Sequence, residues 1–277
     1  MPELPEVETL ANGVHGRVAG QRIVRIWTSG KPQTFKTPET ELTQALTGSA
    51  IESVRRVGKT IVMTVNGKNN PVEFLIHLGM TGRLLVCDSG QPMAPHTHAI
   101  LTLADGREVR FVDPRRFGRL SLHKPSEKKP DAPASYIGPG REPLTISADD
   151  FVALFRHRKT PIKAALLNQS LLHGVGNIYA DESLFRAGIR PRRQAGRLTR
   201  DELLRLRKAL IEVLRQAIKL GGSSVSDYVD ADGVRGFFQL QHKVYMRGGE
   251  PCLVCKTPIQ RITLAGRGTH FCPNCQH

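Results

Sequence analysis

HKPSEKKPDAPASYIGPGREP, residues 123–143, separates two halves of the chain that follow different hydrophobic rhythms. Its mixture of proline, glycine, serine and charge packs poorly, as expected of a boundary between domains. Upstream, QRIVRIWT (21–28), AIESVRRVGKTIVMTV (50–65), EFLIHLGMTGRLLVC (73–87) and HAILTLADGREVRFVD (98–113) carry period-two stretches. Turn signals stand at Asn66-Gly67 and Asp105-Gly106, so these segments predict a sandwich or barrel-like β domain. Ahead of them Pro5 suits a first helical turn, and a helix through about Val18 follows. Downstream the pattern is helical. Asp149 or Asp150 can cap FVALFRHR (151–158), Pro161 starts PIKAALLNQ, NIYADESLFRAG ends at Gly188, and Thr199 with Glu202 forms a capping box closed by Gly221.

The 277 residues carry 40 Lys and Arg against 25 Asp and Glu, a formal charge of +15 that favours a polyanionic partner. No apolar run approaches the roughly 18 residues of a membrane span, and no signal segment opens the chain, so a soluble intracellular protein with no membrane partner is expected. The five cysteines are not spread as a secreted disulfide framework would be. Cys87, in GRLLVCD, is expected to be a buried thiol. The other four form CLVC and CPNC, with Cys252, Cys255, Cys272 and Cys275 in two pairs sixteen residues apart. That spacing predicts one tetrahedral structural zinc site, the alternative being redox dithiols. Between the pairs, QRITLAGRGTH places Arg261 and Arg267 on a basic hairpin.

Two further motifs are ambiguous alone. HGVGNIYADE sets Gly174 and Gly176 before a helix whose free N–H groups suit a phosphate, although the same pattern serves an ordinary tight turn. DPRRFGRL sets Arg115 and Arg116 beside Phe117, which fits a strand end with solvated arginines equally well.

The opening PELPEVE crowds Glu3, Glu6 and Glu8 behind Pro2 in a basic protein. Removal of Met1, which the small Pro2 favours, leaves a secondary amine whose pKa is about 8 in model peptides. Such an amine can attack a sugar C1′ and form an iminium, with Glu3 managing protons. The plainer reading is that early acidic residues complement the helix dipole.

MPELPEVETL, HLGMTGRL, DPRRFG, GVGNIYADESLF, GGSS and the four-cysteine terminus together resemble bacterial formamidopyrimidine-DNA glycosylases, from the first residue to the last. The resemblance implies a multidomain α+β fold: an N-terminal β-sandwich with an N-terminal helix, a helical helix-two-turn-helix domain and a C-terminal zinc-finger β-hairpin. With the boundary above, the domains are expected at 1–130, a linker at 131–148, then 149–240 and 241–277. It also implies removal of 8-oxoguanine and formamidopyrimidines from double-stranded DNA, followed by β,δ-elimination, in a monomeric enzyme of the bacterial cytoplasm, nucleoid-associated when bound to DNA.

Carried over residue by residue, the resemblance makes Pro2 the nucleophile and Glu3 its acid/base partner, with Glu6 a second important acidic residue. Lys59 matches a lysine assigned to proton donation or phosphate contact, and Arg267 the finger arginine linked to phosphate binding and δ-elimination. Met80, Arg115 and Phe117 match the wedge that fills the gap left by an extruded nucleotide, offsetting part of the lost stacking. Asn177 and Lys163 match phosphate contacts, His96, Arg116 and Arg158 further basic DNA contacts, and His77 a backbone contact. GGSSVSDYVDADGVRGFF (221–238) falls where the family has a base-capping loop. The chain departs from the family at Thr97 and Asn168, where aspartate is frequent, and at Arg158, where lysine is common. Rival readings are an endonuclease VIII-like enzyme for oxidised pyrimidines, and a non-enzymatic zinc-containing nucleic-acid binder, which has no use for a free Pro2.

Overall fold

The computed structural model describes residues 1–66, 71–123, 135–224, 229–231 and 233–277. Gly67, most of the expected boundary segment and the middle of 221–238 lie outside the described residues. The chain divides into two compact units, Met1–Gly138 with Gly221–Gly236, and Pro139–Leu220 with Phe237–His277. Residues 221–236, grouped with the helices in the sequence reading, thus count with the first unit. The finger counts with the helices.

In the first unit, helix α1 (Leu4–Val18) buries Val7, Leu10, Ala11, Val14 and Val18, the spacing of one helical face. It stops at Ala19, and Gly20 takes a φ of 81°. Strand β1 (Ile23–Thr28), helix α2 (Glu39–Leu46), and strands β2 (Ala50–Val57), β3 (Thr60–Asn66), β4 (Pro71–His77), β5 (Arg83–Asp88), β6 (Thr97–Leu103), β7 (Arg107–Val112) and β8 (Arg119–His123) follow. They form two antiparallel four-stranded sheets, β1-β6-β7-β5 and β2-β3-β4-β8. Met63, Phe74 and Ile76 of one sheet and Leu84, Leu101 and Phe111 of the other share a core with α1, making a sandwich.

EFLIHLGMTGRLLVC is not one strand. β4 ends at His77 in one sheet and β5 begins at Arg83 in the other, because Gly79, with φ 63°, and Gly82 turn the chain between layers. The β7–β8 link, 113–118, crosses back the other way. Since β4 pairs with β8 and β5 with β7, the two crossings lie at the same end of the sandwich. Cys87 is only half-buried, correcting the expected buried thiol: alternation along β5 gives the core-facing places to Leu84 and Val86.

In the second unit, α3 (Ala148–Phe155) is capped by Ser147, whose hydroxyl accepts the Asp150 N–H at 3.1 Å. Asp149 and Asp150 occupy the first turn instead of the cap, where they complement the dipole. Helices α4 (Ile162–Leu166), α5 (Asn177–Ala187) and α6 (Arg200–Lys219) follow. Thr199 and Glu202 form the expected reciprocal capping box, and Gly188 ends α5 at a φ of 70°. Strands β9 (Gln260–Leu264) and β10 (Arg267–Phe271) make a hairpin through Ala265 and Gly266, both at positive φ, as a two-residue turn requires. No described helix is long and apolar enough to cross a membrane.

Candidate active site

α1 delivers its acidic residues into a buried environment. Pro2 is buried, Glu3 and Glu6 are 5% and 2% exposed, and Met1 projects outward at 47%. Ion burial is costly unless each oxygen finds a donor. Glu6 meets that demand in two directions: Oε2 accepts the Glu3 N–H at 2.8 Å and Oε1 the Ser223 N–H at 2.7 Å. One carboxylate therefore joins the start of α1 to the root of the 221–236 segment. Glycine is required there: a Cβ on Gly222, at φ 82°, would lie 2.9 Å from Glu6 Cγ, and one on Gly236 would lie 2.3 Å from the Gly222 carbonyl oxygen. The Ser224 hydroxyl accepts the Gly236 N–H at 2.9 Å, closing this neck. Glu8, two residues on from Glu6, pairs with the buried guanidinium of Arg56 on β2.

Lys59 sits in the two-residue β2–β3 turn behind Gly58, whose φ is 61°. Its neighbour Thr60 is in register with His77 of β4. Burial, and then the positive charges of Lys59 and Arg119, hold the His77 imidazole below its ordinary range. His77 is therefore neutral at neutral pH. Nδ1 accepts the Gly79 N–H at 3.1 Å, which leaves Nε2 as the protonated, donating nitrogen.

The two sheet crossings carry Met80, Arg115 and Phe117. Met80 is 41% and Phe117 47% exposed, large apolar side chains left outside a well-filled core. Arg115 stacks its guanidinium 4.7 Å from the Phe117 ring centroid. Arg116 and His96 are exposed on the same unit in left-handed backbone, with φ of 56° and 64°.

In the second unit, Arg267 is exposed at the start of β10. Lys163 is not. Its ammonium is fully buried, 2.7 Å from Asp181 Oδ1, and donates to the Gly268 carbonyl at 2.9 Å and the Thr269 hydroxyl at 2.8 Å. Held by this ion pair and two hydrogen bonds, the lysine fastens the backbone after Arg267. Its burial was not legible in the sequence because buried lysines are rare unless paired, and the pairing partner was not evident. Asn177, half-buried at the first turn of α5, spends its amide N–H on the same Gly268 carbonyl, at 2.9 Å. Asp181 Oδ2 completes the arrangement by accepting the His270 N–H at 2.9 Å. Arg158 is half-buried, and its Nε–H donates to the Leu154 carbonyl. Asn168 accepts from the Ser170 N–H and hydroxyl through Oδ1, a task an aspartate could perform as well.

Lys163→Met is expected to leave Asp181 charged and uncompensated, costing about 3–5 kcal/mol in thermal or denaturant unfolding. Lys163→Met/Asp181→Leu, which removes both charges, should recover most of that loss. Equal stability of the single variant and the parent would refute the buried ion pair.

Cys252, Cys255, Cys272 and Cys275 place their sulfurs within 4.8 Å of one another, with Cys252–Cys275 at 3.9 Å and Cys255–Cys272 at 3.4 Å. A tetrahedral zinc with bonds of about 2.3 Å requires sulfur separations of about 3.8 Å, so the four thiolates fit one ion. The Val254 and Cys275 N–H groups point at Cys252 and Cys272 sulfurs, each at 3.4 Å, as donors that would stabilise thiolate charge.

Known proteins share this arrangement along the whole chain. Residues 1–120 match the formamidopyrimidine-DNA glycosylase N-terminal domain, 138–229 its H2TH domain, and 249–277 the zinc finger found in FPG and IleRS. Formamidopyrimidine-DNA glycosylase from Solibacter usitatus is 47% identical, over 100% of this chain and 99% of the relative. The crystal structure of MutM (FPG) from Thermus thermophilus superimposes with a TM-score of 0.85 at 42% identity, covering 99% of this chain and 98% of that one. A Lactococcus lactis FPG mutant, in complex with DNA containing Fapy-dG, gives 0.87 at 33% identity with both chains fully covered.

Proposed function

Because the chain belongs to the formamidopyrimidine-DNA glycosylase family, we propose that the buried N-terminal cluster is where it works. The protein is a bifunctional DNA-repair enzyme: it removes oxidised purines from double-stranded DNA and then cuts the strand, with one structural zinc in its finger. The observation that carries the site assignment is Glu6 holding both the Glu3 amide and the Ser223 amide, which gathers Pro2, Glu3 and the 222–224 segment in one place.

After loss of Met1, the Pro2 amine attacks C1′ as the C1′–N bond to the damaged base breaks and the base departs with the electron pair. Glu3 moves protons between the opening sugar and the departing groups. The resulting iminium acidifies the C2′ hydrogen. Loss of that proton expels the 3′ phosphate, and a second elimination expels the 5′ phosphate. Lys59 and the neutral, donating Nε2 of His77 serve the phosphate and proton steps. Met80, Arg115 and Phe117 fill the vacated stack. Arg267 holds phosphate from the second unit, with Arg116, His96, Arg158 and Asn177 as supporting contacts. Zinc, when bound by Cys252, Cys255, Cys272 and Cys275, supplies structure only, since four protein ligands leave no open position. The enzyme acts as a monomer in the bacterial cytoplasm, at the nucleoid when bound to DNA.

Mixing processed protein with a duplex carrying one 8-oxoguanine and adding borohydride should trap an adduct that mass spectrometry maps to Pro2. A thymine glycol duplex should react more slowly. Faster reaction with thymine glycol would favour the pyrimidine-directed alternative. A bound duplex with no adduct, at confirmed free Pro2 and full zinc, would leave only a binding module.

A further inference from the structure

Asp113, the first residue of DPRRFG, is fully buried yet pairs with no cation among the described residues. Both carboxylate oxygens are used between the two sheet crossings. Oδ1 accepts the Thr81 hydroxyl at 2.6 Å, on the crossing that carries Met80. Oδ2 accepts the Gly118 N–H at 2.7 Å, on the crossing that carries Arg115 and Phe117. The residue itself is fixed by its backbone: its N–H donates to the His96 carbonyl at 2.9 Å, and its carbonyl accepts from His98 Nε2 at 3.0 Å. His98 Nδ1 lies 3.0 Å from the Ser29 hydroxyl, so both ring nitrogens are engaged. The crossings touch through bare backbone, since a Cβ on Gly79 would lie 2.5 Å from the Gly118 nitrogen.

We propose that Asp113 and Thr81 form a clasp that holds the two wedge-bearing loops as one rigid insert, making Asp113 a positioning residue for base extrusion. This rests on reading Met80, Arg115 and Phe117 as the wedge. Each loop crosses between the same two sheets, in opposite directions; strand pairing holds their ends, and no covalent link joins their tips. A charged acceptor bridging them does, and hydrogen bonds to a charged group are the strong ones. Rigidity matters because a wedge that yields on entering the stack forfeits the energy that offsets unstacking.

The clasp can be loosened without cavity or charge change by Thr81→Val, with Thr81→Ser as the variant that keeps the hydroxyl. Two reactions are compared in single turnover: excision of 8-oxoguanine from a duplex, and cleavage of a single-stranded oligonucleotide with a preformed abasic site, which has no stack to fill. Thr81→Val is expected to slow duplex excision about tenfold, the value of one charge-assisted hydrogen bond, and to leave single-strand cleavage unchanged. Thr81→Ser should restore duplex excision. Asp113→Asn, which cannot accept from both donors with one oxygen, should show the same split and serves if Thr81→Val folds poorly. Met80→Ala/Phe117→Ala separates the premise from the inference. If that variant is slow on duplex while Thr81→Val matches the parent, the wedge stands and the clasp is wrong. If it matches the parent, the wedge reading fails and the clasp with it. Equal slowing of both reactions by Thr81→Val would make the contact a general structural one and overturn the proposal.

Discussion

Protein that keeps Met1, or that is acetylated on Pro2 after Met1 is removed, is expected to lose base excision and strand cleavage together, by at least about a thousandfold, or about 4 kcal/mol of barrier. An amide nitrogen has no lone pair to offer C1′, and no iminium can form from it. The fold separates this chemical effect from a structural one. Met1 is 47% exposed while Pro2 is buried, so the extra atoms point outward and the contacts of Glu6 with residues 3 and 223 remain. Binding of lesion-containing duplex should therefore change little. Anisotropy titration would measure affinity, single-turnover assays the chemistry and borohydride trapping the intermediate. Stably acetylated protein that excises 8-oxoguanine at the parental rate would remove Pro2 from the mechanism.

The second large effect is expected on removing the metal. The buried cluster around Cys252 and Cys272 is Val244 and Ile259 with Phe185 of α5, too few apolar groups to hold a hairpin. Zinc binding to four thiolates supplies roughly 10 kcal/mol or more, which in a segment this small is its folding free energy. A strong chelator, or Cys272→Ala, should melt β9–β10, displace Arg267 and abolish tight DNA binding, with one zinc per chain released. Salt dependence of binding should also become shallower as a phosphate contact is lost. Metal-free protein that keeps its hairpin amide signals and its DNA affinity would show that the four cysteines do not build the finger.

Local chemistry was legible in the sequence. The Thr199–Glu202 capping box, the Asp105-Gly106 hairpin turn, the glycine stop at Gly188 and the paired cysteines each act within a few residues, and each stands as expected. What the residues did not reveal depends on partners far along the chain. Lys163 lies 105 residues from the carbonyl it secures, and Glu6 lies 217 from Ser223. A charge count treats that lysine as surface, and helix-dipole reasoning treats that glutamate as sufficiently explained. Asp113 was hidden for a related reason: its neighbours Arg115, Arg116 and Phe117 carry the conspicuous chemistry, while its own work is done with Thr81 and a backbone amide. The sheet change after His77 was missed because hydrophobic alternation runs through both strands and cannot report which layer a strand joins.

Helix α5 places two buried acids side by side and uses them in different directions. Asp181 takes the His270 N–H, and Glu182 takes three successive N–H groups, from Lys243, Val244 and Tyr245. Just past its far end, Ile189 offers its carbonyl to the Gln276 amide. The helix is thus pinned to the finger before, within and after the metal-binding stretch. Folding units are defined by what opens together, and on these contacts α5 belongs with the finger. Amide exchange along Asn177–Ala187 should therefore follow metal occupancy, so that a helix with no ligand of its own reports on the ion.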